Sequence, residues 1–228
     1  MKPIIGIVGR VCKNDEGNTM IGCYEGIRRS IIKKGGIPTL ILPNQDIDYD
    51  IEKRDLTDLE KEDLKQIIDL CSGIIIPGTT ILRDYDKFIY KYAFNKDIPI
   101  LGICAGMQLI AISDKDLEEE NVLERIESNI KHQSPGVNYV HSVNINKETL
   151  LYDIIGKETI RVNSRHNYKV KSVKDLVVSA ISEDGIIEGL EHKDKKFVVG
   201  VQWHPENMLD YDEAANRIFE KFIEVCKK

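Results

Sequence analysis

The chain has 228 residues, 42% of them hydrophobic and 31% charged, with a formal net charge of −6 and no dense Lys/Arg cluster. That balance describes an ordinary globular protein and argues against nucleic acid or an acidic membrane surface as a partner. No apolar stretch reaches the ~18 residues needed to span a membrane, and MKPIIGIVGR has neither the apolar length nor the cleavage site of a signal peptide, so the expected location is the cytoplasm.

In chain order, PIIGIVGR (3–10) reads as a short buried strand. MIGCYEGIRRSIIKKGG (20–36) has apolar residues at helical spacing, with Lys33 and Lys34 in its last turn and Gly35-Gly36 as a stop. IPTLILP (37–43) is the next strand, and the polar, acidic stretch 44–56 is a surface loop. TDLEKEDLKQIIDLC (57–71) reads as a helix opened by a capping box between Thr57 and Glu60. GIIIPG (73–78) has the unbroken apolar character of a parallel strand covered on both faces. A helix over 82–96, a strand over 98–103 and a helix from Ala105 follow.

This alternation predicts an α/β fold, a doubly wound and mostly parallel flavodoxin-like sheet with helices on both faces. Ligands in such sheets bind at the carboxyl ends of the strands, which points to the turns after Gly78 and Ile103. The second half is richer in β-branched residues. Segments 136–145, 158–164, 176–182, 185–192 and 196–204 predict an added strand-rich region with antiparallel pairs, closed by an amphipathic helix over 211–228. No linker or repeat divides the chain, so residues 1–228 are expected to form a single domain.

Gly102-Ile103-Cys104-Ala105-Gly106 has the form G-x-C-x-G where a strand must turn into a helix. Such an elbow presents its middle side chain at a helix N-terminus, which favours thiolate. The Ala105 N–H is then free to stabilise an oxyanion. A cysteine simply buried at a strand end fits the pentapeptide equally well. The other four cysteines (Cys12, Cys23, Cys71 and Cys226) lack an elbow; the odd total of five, the wide spacing and the lack of C-x-x-C argue against a disulfide framework and a structural zinc site.

A nucleophilic thiol needs a base, and the base needs an orienting group. VVGVQWHPE supplies His204 at a strand end and Glu206 two residues on, able to fold back onto the imidazole.

GICAGMQ with GVQWHPE resembles the class I glutamine amidotransferase superfamily. The resemblance implies a Cys104-His204-Glu206 triad that hydrolyses a γ-glutamyl amide. It also aligns Gly78, in IIIPGTT, with the glycine that donates an oxyanion N–H beside that of Ala105. PIIGIVGR (3–10) with YEGIRRSIIKKGGIPTLILP (24–43), VNSRHNYKV (162–170) and SEDGIIEGLEH (182–192) together resemble the γ-glutamyl-γ-aminobutyrate hydrolase-like branch, a family of free-standing γ-glutamyl hydrolases. Two departures concern the substrate's amine side. Pro77-Gly78-Thr79-Thr80 stands where many relatives have Gly-Gly and an acidic residue. The stretch 113–128 is charged and lacks a Gly-Gly-x-Leu strand.

Gln108, Arg165 and His166 are the candidate substrate contacts. Gln108 lies one turn beyond Cys104 and either faces the glutamyl group or packs on the helix. Arg165 has a planar fork suited to the glutamyl α-carboxylate, although a surface arginine fits as well. His166, in a stretch that resembles a family motif, touches substrate or positions the pocket wall, and a structural role fits as well. His132 and His141 stand where relatives often carry histidine but read as ordinary loop and strand residues; His192 reads as solvated. Tyr24 reads as helix-face packing with the pocket wall as alternative. No metal ligands and no cofactor are called for. The implied partner is a small γ-glutamyl substrate, with a homodimer left open. Two other functions share the motifs: a glutaminase subunit passing ammonia to a synthase, and a non-catalytic binding protein on the same fold.

Overall fold

The computed structural model describes residues 1–45, 55–115 and 118–227, so most of the loop expected at 44–56 lies outside the described residues. The chain runs through β1 (Ile4–Val8), β2 (Arg10–Lys13), β3 (Thr19–Gly22), α1 (Glu25–Lys33), β4 (Ile37–Ile41), α2 (Asp58–Asp69), β5 (Gly73–Ile76), α3 (Asp84–Asn95), β6 (Ile100–Ile103) and α4 (Ala105–Lys115). It continues through α5 (Glu119–Val122), β7 (Leu123–Arg125), β8 (His141–Ile145), α6 (Leu150–Ile155), β9 (Thr159–Val162) and β10 (Tyr168–Val170). The last elements are β11 (Val177–Ser182), β12 (Ile187–Glu191), β13 (Val198–Val201), a 3-10 turn at Pro205–Asn207 and α7 (Glu213–Val225).

Among the described residues, nine strands form one sheet in the order β4-β1-β5-β6-β13-β12-β11-β8-β9. The first five are mutually parallel. The remaining pairs are antiparallel. β13 joins the two halves, parallel to β6 on one side and antiparallel to β12 on the other.

The apolar runs explain the layering. In β5, Ile75 packs with α1 and α7 residues such as Ile27, Ile31 and Phe219 on one face. Its neighbours Ile74 and Ile76 pack with α2, α3 and α4 residues such as Leu64, Ile89 and Met107 on the other. Successive strand residues face opposite sides, so a strand covered twice has no polar position. Each such isoleucine, fully buried, contributes about 1.5–3 kcal/mol.

Two boundaries differ from the sequence reading. Residues 20–22 of the helix expected over 20–36 belong instead to β3, which pairs with β2 as a hairpin. The apolar spacing there is ambiguous over so few residues, and cross-strand pairing with Arg10–Lys13 decides it. The strand expected over 136–145 is confined to β8, and α6 follows with Thr149 as its N-cap. The capping box at Thr57 and Glu60 forms as expected.

β5, β6 and β13 lie side by side, in parallel, with Ile76 opposite Gly102 and Ile103 opposite Val201. Their carboxyl ends therefore release Pro77-Gly78, Cys104 and Gln202–His204 at one edge of the sheet. Gly106 lets α4 settle there. A Cβ at Gly106 would lie 2.0 Å from the Ile76 carbonyl oxygen, a backbone atom that cannot swing away. We expect Gly106→Ala to lose about 3 kcal/mol or more of unfolding free energy in urea titrations; a loss below ~1 kcal/mol would contradict this packing.

Candidate active site

Cys104 has φ = 55°, one of three non-glycine residues with positive φ among the described residues. The left-handed conformation is strained for any side chain, by ~1–2 kcal/mol. It follows from neighbours on both sides: the Cys104 N–H donates to the Val201 carbonyl at 2.8 Å, continuing the β6–β13 ladder, while its carbonyl accepts from Gln108 N–H at 3.1 Å, opening α4. The residue is strand by its N–H and helix by its C=O. Its thiol lies in the lining of a cavity of about 660 Å³.

His204 leaves the end of β13 with its main chain clamped. The Asn163 amide donates to the His204 carbonyl and accepts from its N–H, both at 2.8 Å. The imidazole Nδ1 meets Glu206 Oε1 at 2.7 Å, and Asn207 donates to the same oxygen at 3.2 Å. Glu206 is only 4% exposed. Burial by itself pulls the His204 pKa down; the Glu206 charge and hydrogen bonds to Cys104 and Glu206 outweigh it and push it up to about 10. The imidazole thus links the thiol on one side to the carboxylate on the other. α1 packs close behind: a Cβ on Gly26 would lie 2.6 Å from the Glu206 carbonyl oxygen.

Gly78 closes the arrangement. A Cβ there would lie 3.1 Å from His204 Cε1 and 3.3 Å from Cys104 Cβ, so the Gly78 main chain touches both side chains. Its peptide plane is held from behind. The Arg10 guanidinium donates to the Pro77 carbonyl at 2.5 Å and pairs with the fully buried Asp86, which also accepts from the Arg83 N–H at the start of α3. In a trans peptide the N–H points away from the carbonyl, so fixing Pro77 O aims the Gly78 N–H away from Arg10. The Ala105 N–H, first in its helix, has no intrahelical acceptor.

A model of the peptidase C26 family matches residues 80–206, more than half of the chain. The chain belongs to the peptidase C26 family. This C26 protein is 31% identical to the putative glutamine amidotransferase-like protein RP404 of Rickettsia prowazekii, over 92% of each chain. It is 32% identical to the CTP synthase of Nautilia profundicola over 90% of its own length, which is 44% of that enzyme. The glutaminase domain of Trypanosoma brucei CTPS with bound acivicin shares the fold, with a TM-score of 0.68 at 18% identity, covering 98% of this chain and 93% of that one. The C26 protein is thus a class I glutamine amidotransferase-like chain with a hydrolase fold for amide bonds. No helix among its described residues is long and apolar enough to cross a membrane.

Gln108, Arg165 and His166 of the C26 protein all line the cavity. Gln108 Nε2 donates to the Tyr168 carbonyl at 3.1 Å and to Gln202 Oε1 at 3.2 Å, so its amide also ties α4 to the opposite wall. Both His166 ring nitrogens are engaged by protein groups: Nδ1 faces the Tyr168 carbonyl and Nε2 faces His132 and Glu188. Tyr24, read mainly as helix packing, precedes α1 and is half exposed. Burial raises its pKa; Arg10 opposes and the Cys104 and Glu206 charges add to the rise, which places the phenol near the site. The charged stretch after α4 forms cavity wall through Glu119, Glu120, Glu124 and Arg125. Sequence reading missed Asn163 and Arg10 as positioning groups. Asn163 was within reach in Asn-Ser-x-His; Arg10 carries no local signal.

Proposed function

We propose that the chain is a cysteine hydrolase that cleaves the γ-glutamyl amide bond of a small γ-glutamyl amine and releases glutamate through a thioester. The observation that carries this reading is a strained Cys104 beside an imidazole already bonded to Glu206, opening on one cavity. Cys104 Sγ attacks the γ-carbonyl. The N–H groups of Gly78 and Ala105 receive the oxyanion, and losing one such donor costs about 10²–10³ in rate. His204 passes a proton to the leaving amine, then takes one from water as it attacks the thioester. Arg165 receives the glutamyl α-carboxylate, and the mixed wall of Glu119, Glu120, Glu124 and Arg125 suits a polar amine half.

The test is glutamate release across a panel of γ-glutamyl amines, with glutamine included. Turnover of a γ-glutamyl amine by the isolated chain, well above that of glutamine, supports the hydrolase. The likeness to CTP synthase over most of this chain favours a second reading, a glutaminase feeding ammonia to a synthase. Turnover of glutamine alone, and only with a synthase present, would establish it. In either case acivicin should label Cys104 alone among the five cysteines; equal labelling of the others would favour a non-catalytic protein.

Arg10→Lys probes the oxyanion loop. Lysine keeps the charge facing Asp86 but loses the fork that also reaches Pro77. We expect kcat to fall about tenfold with KM within about twofold, since only transition-state binding is weakened. A proportionate rise in KM at constant kcat would assign Arg10 to substrate binding instead.

A further inference from the structure

Behind the cavity wall lies a second cluster with no part in the proposed reaction. His132 comes from the segment between β7 and β8, His141 from β8, His166 from the segment between β9 and β10, and Glu188 from β12. They are 3%, 1%, 4% and 0% exposed. His166 Nε2, His132 Nδ1 and His141 Nε2 lie 3.3, 3.4 and 3.6 Å from Glu188 Oε1. His132 Nδ1 and His166 Nε2 are 3.2 Å apart.

The outward ring nitrogens fix the tautomers. His132 Nε2 faces Asp184 Oδ2 at 3.0 Å, His166 Nδ1 the Tyr168 carbonyl at 3.1 Å, and His141 Nδ1 the Ser142 carbonyl at 3.3 Å. All three partners are acceptors, so each outward nitrogen carries an N–H, and in the neutral form that ligates a metal the inward nitrogen keeps its lone pair. The three inward nitrogens are then bare lone pairs aimed at one another and at a carboxylate. Among the described residues, neither Glu188 oxygen nor His141 Nε2 has a hydrogen-bond partner. A buried carboxylate in that condition is strongly destabilising. One proton added to an inward nitrogen bridges one contact and leaves the others facing lone pairs.

We propose that His132, His141, His166 and Glu188 form a binding site for one divalent transition-metal ion, zinc in the first place. A single cation among the four atoms satisfies every inward lone pair at once. Tetrahedral zinc, with bonds of about 2.0–2.1 Å, sets its ligand atoms roughly 3.3–3.4 Å apart. The four measured separations span 3.2–3.6 Å. All of these ligand atoms lie within 4.8 Å of one another, an opening that a small inward movement of the His141 ring closes. Three imidazoles and one carboxylate favour zinc or its transition-metal neighbours over magnesium or calcium. The Asp184–His132 contact is the carboxylate–histidine pairing that orients a metal ligand. The charges also match: the ion's two positive charges meet one from Glu188 and one from Asp184.

Four protein ligands leave no open position, so the ion is structural. It ties strands β8 and β12 to the two segments that carry Gln133, Arg165 and Asn167 in the cavity wall. The Tyr168 carbonyl faces His166 on one side and accepts from Gln108 on the other, which connects the cluster to the helix that begins beside Cys104.

The test is metal content by plasma mass spectrometry on the full chain, produced with added zinc, carrying a tag that does not chelate and purified without chelators. We expect about one zinc per chain, retained in Cys104→Ala and lost in His141→Ala and Glu188→Gln. Should those variants fail to fold, cobalt added to chelator-treated wild-type chain decides. Intense tetrahedral d–d bands without thiolate charge transfer support the site. Wild-type chain that takes up less than about a tenth of an equivalent of zinc and gains no thermal stability from added zinc overturns it. So does zinc that disappears with Cys104→Ala, or a cobalt spectrum that is octahedral or shows thiolate ligation.

Discussion

Cys104→Ala is expected to reduce hydrolysis of the best γ-glutamyl substrate by about 10⁴-fold or more while the chain stays folded. The size follows from removing a nucleophile that acts as one unit with its base. What remains is the catalysis that binding and the oxyanion donors supply alone. Folding should be nearly indifferent, because the thiol is a small group at the cavity edge, 8% exposed, and the backbone bonds that hold the elbow are main-chain bonds. A second substitution separates strain from chemistry. Cys104→Gly is equally inactive but should exceed Cys104→Ala in stability by ~1 kcal/mol, since glycine adopts φ = 55° without a Cβ clash. Steady-state kinetics and urea unfolding check both. Undiminished turnover in Cys104→Ala would dismiss the thiol as nucleophile.

Glu206→Gln carries the second large effect. Glutamine can still meet Nδ1 but brings no charge, so an imidazolium at His204 loses its counter-ion. We expect kcat to fall by about 10²–10⁴, the range spanned by general acid–base catalysis and by triad orienting groups. The pH profile gives the sharper reading. In the native chain His204 is pushed up to about 10 from an ordinary 6.5, against burial, chiefly by Glu206 and Cys104. Its protonated form, needed for expelling the amine, persists well above neutrality, and activity governed by it falls as pH rises through that region. Without Glu206, burial is less opposed and the alkaline limb moves to lower pH. The same linkage acts on stability. A raised pKa in the folded state contributes fully below about 6.5 and is lost as pH rises through about 10. The native chain should therefore lose stability towards pH 10 by an increment that Glu206→Gln lacks. A limb that stays in place in the variant would show that Glu206 does not set the His204 charge.

The two halves of the site were unequally visible in the sequence. The elbow at Cys104 is legible locally, because it needs glycines on both sides within five residues, although the pentapeptide alone leaves a buried thiol equally open. Gly106 is required by the Ile76 carbonyl and Gly102 by the Gly106 main chain, each at under 3 Å from a would-be Cβ. His204 and Glu206 are legible for the same reason: a candidate base and a carboxylate able to orient it lie two residues apart. Residues 20–22 of β3 read as the start of a helix, because a few apolar residues satisfy either period and only the partner strand chooses. Arg10 and Asp86 were invisible as a pair, being 76 positions apart and brought together only by the fold.

By itself the sequence determined the strand and helix alternation, the covered character of β5 and β6, and the local turns that carry the candidate groups Cys104, His204 and Glu206. These are properties of neighbouring residues, set by period, glycine and capping. The tertiary structure decided adjacency. Cys104 meets His204, 100 positions later, because β13 pairs in parallel with β6 and both end at one sheet edge. Gly78 reaches the same edge on β5. Three histidines and a glutamate that look unrelated along the chain converge because antiparallel pairing brings β8 and β12, each beside β11, to one wall. Such convergence leaves no spacing to read, since the intervening lengths are set by the sheet and not by the ligands.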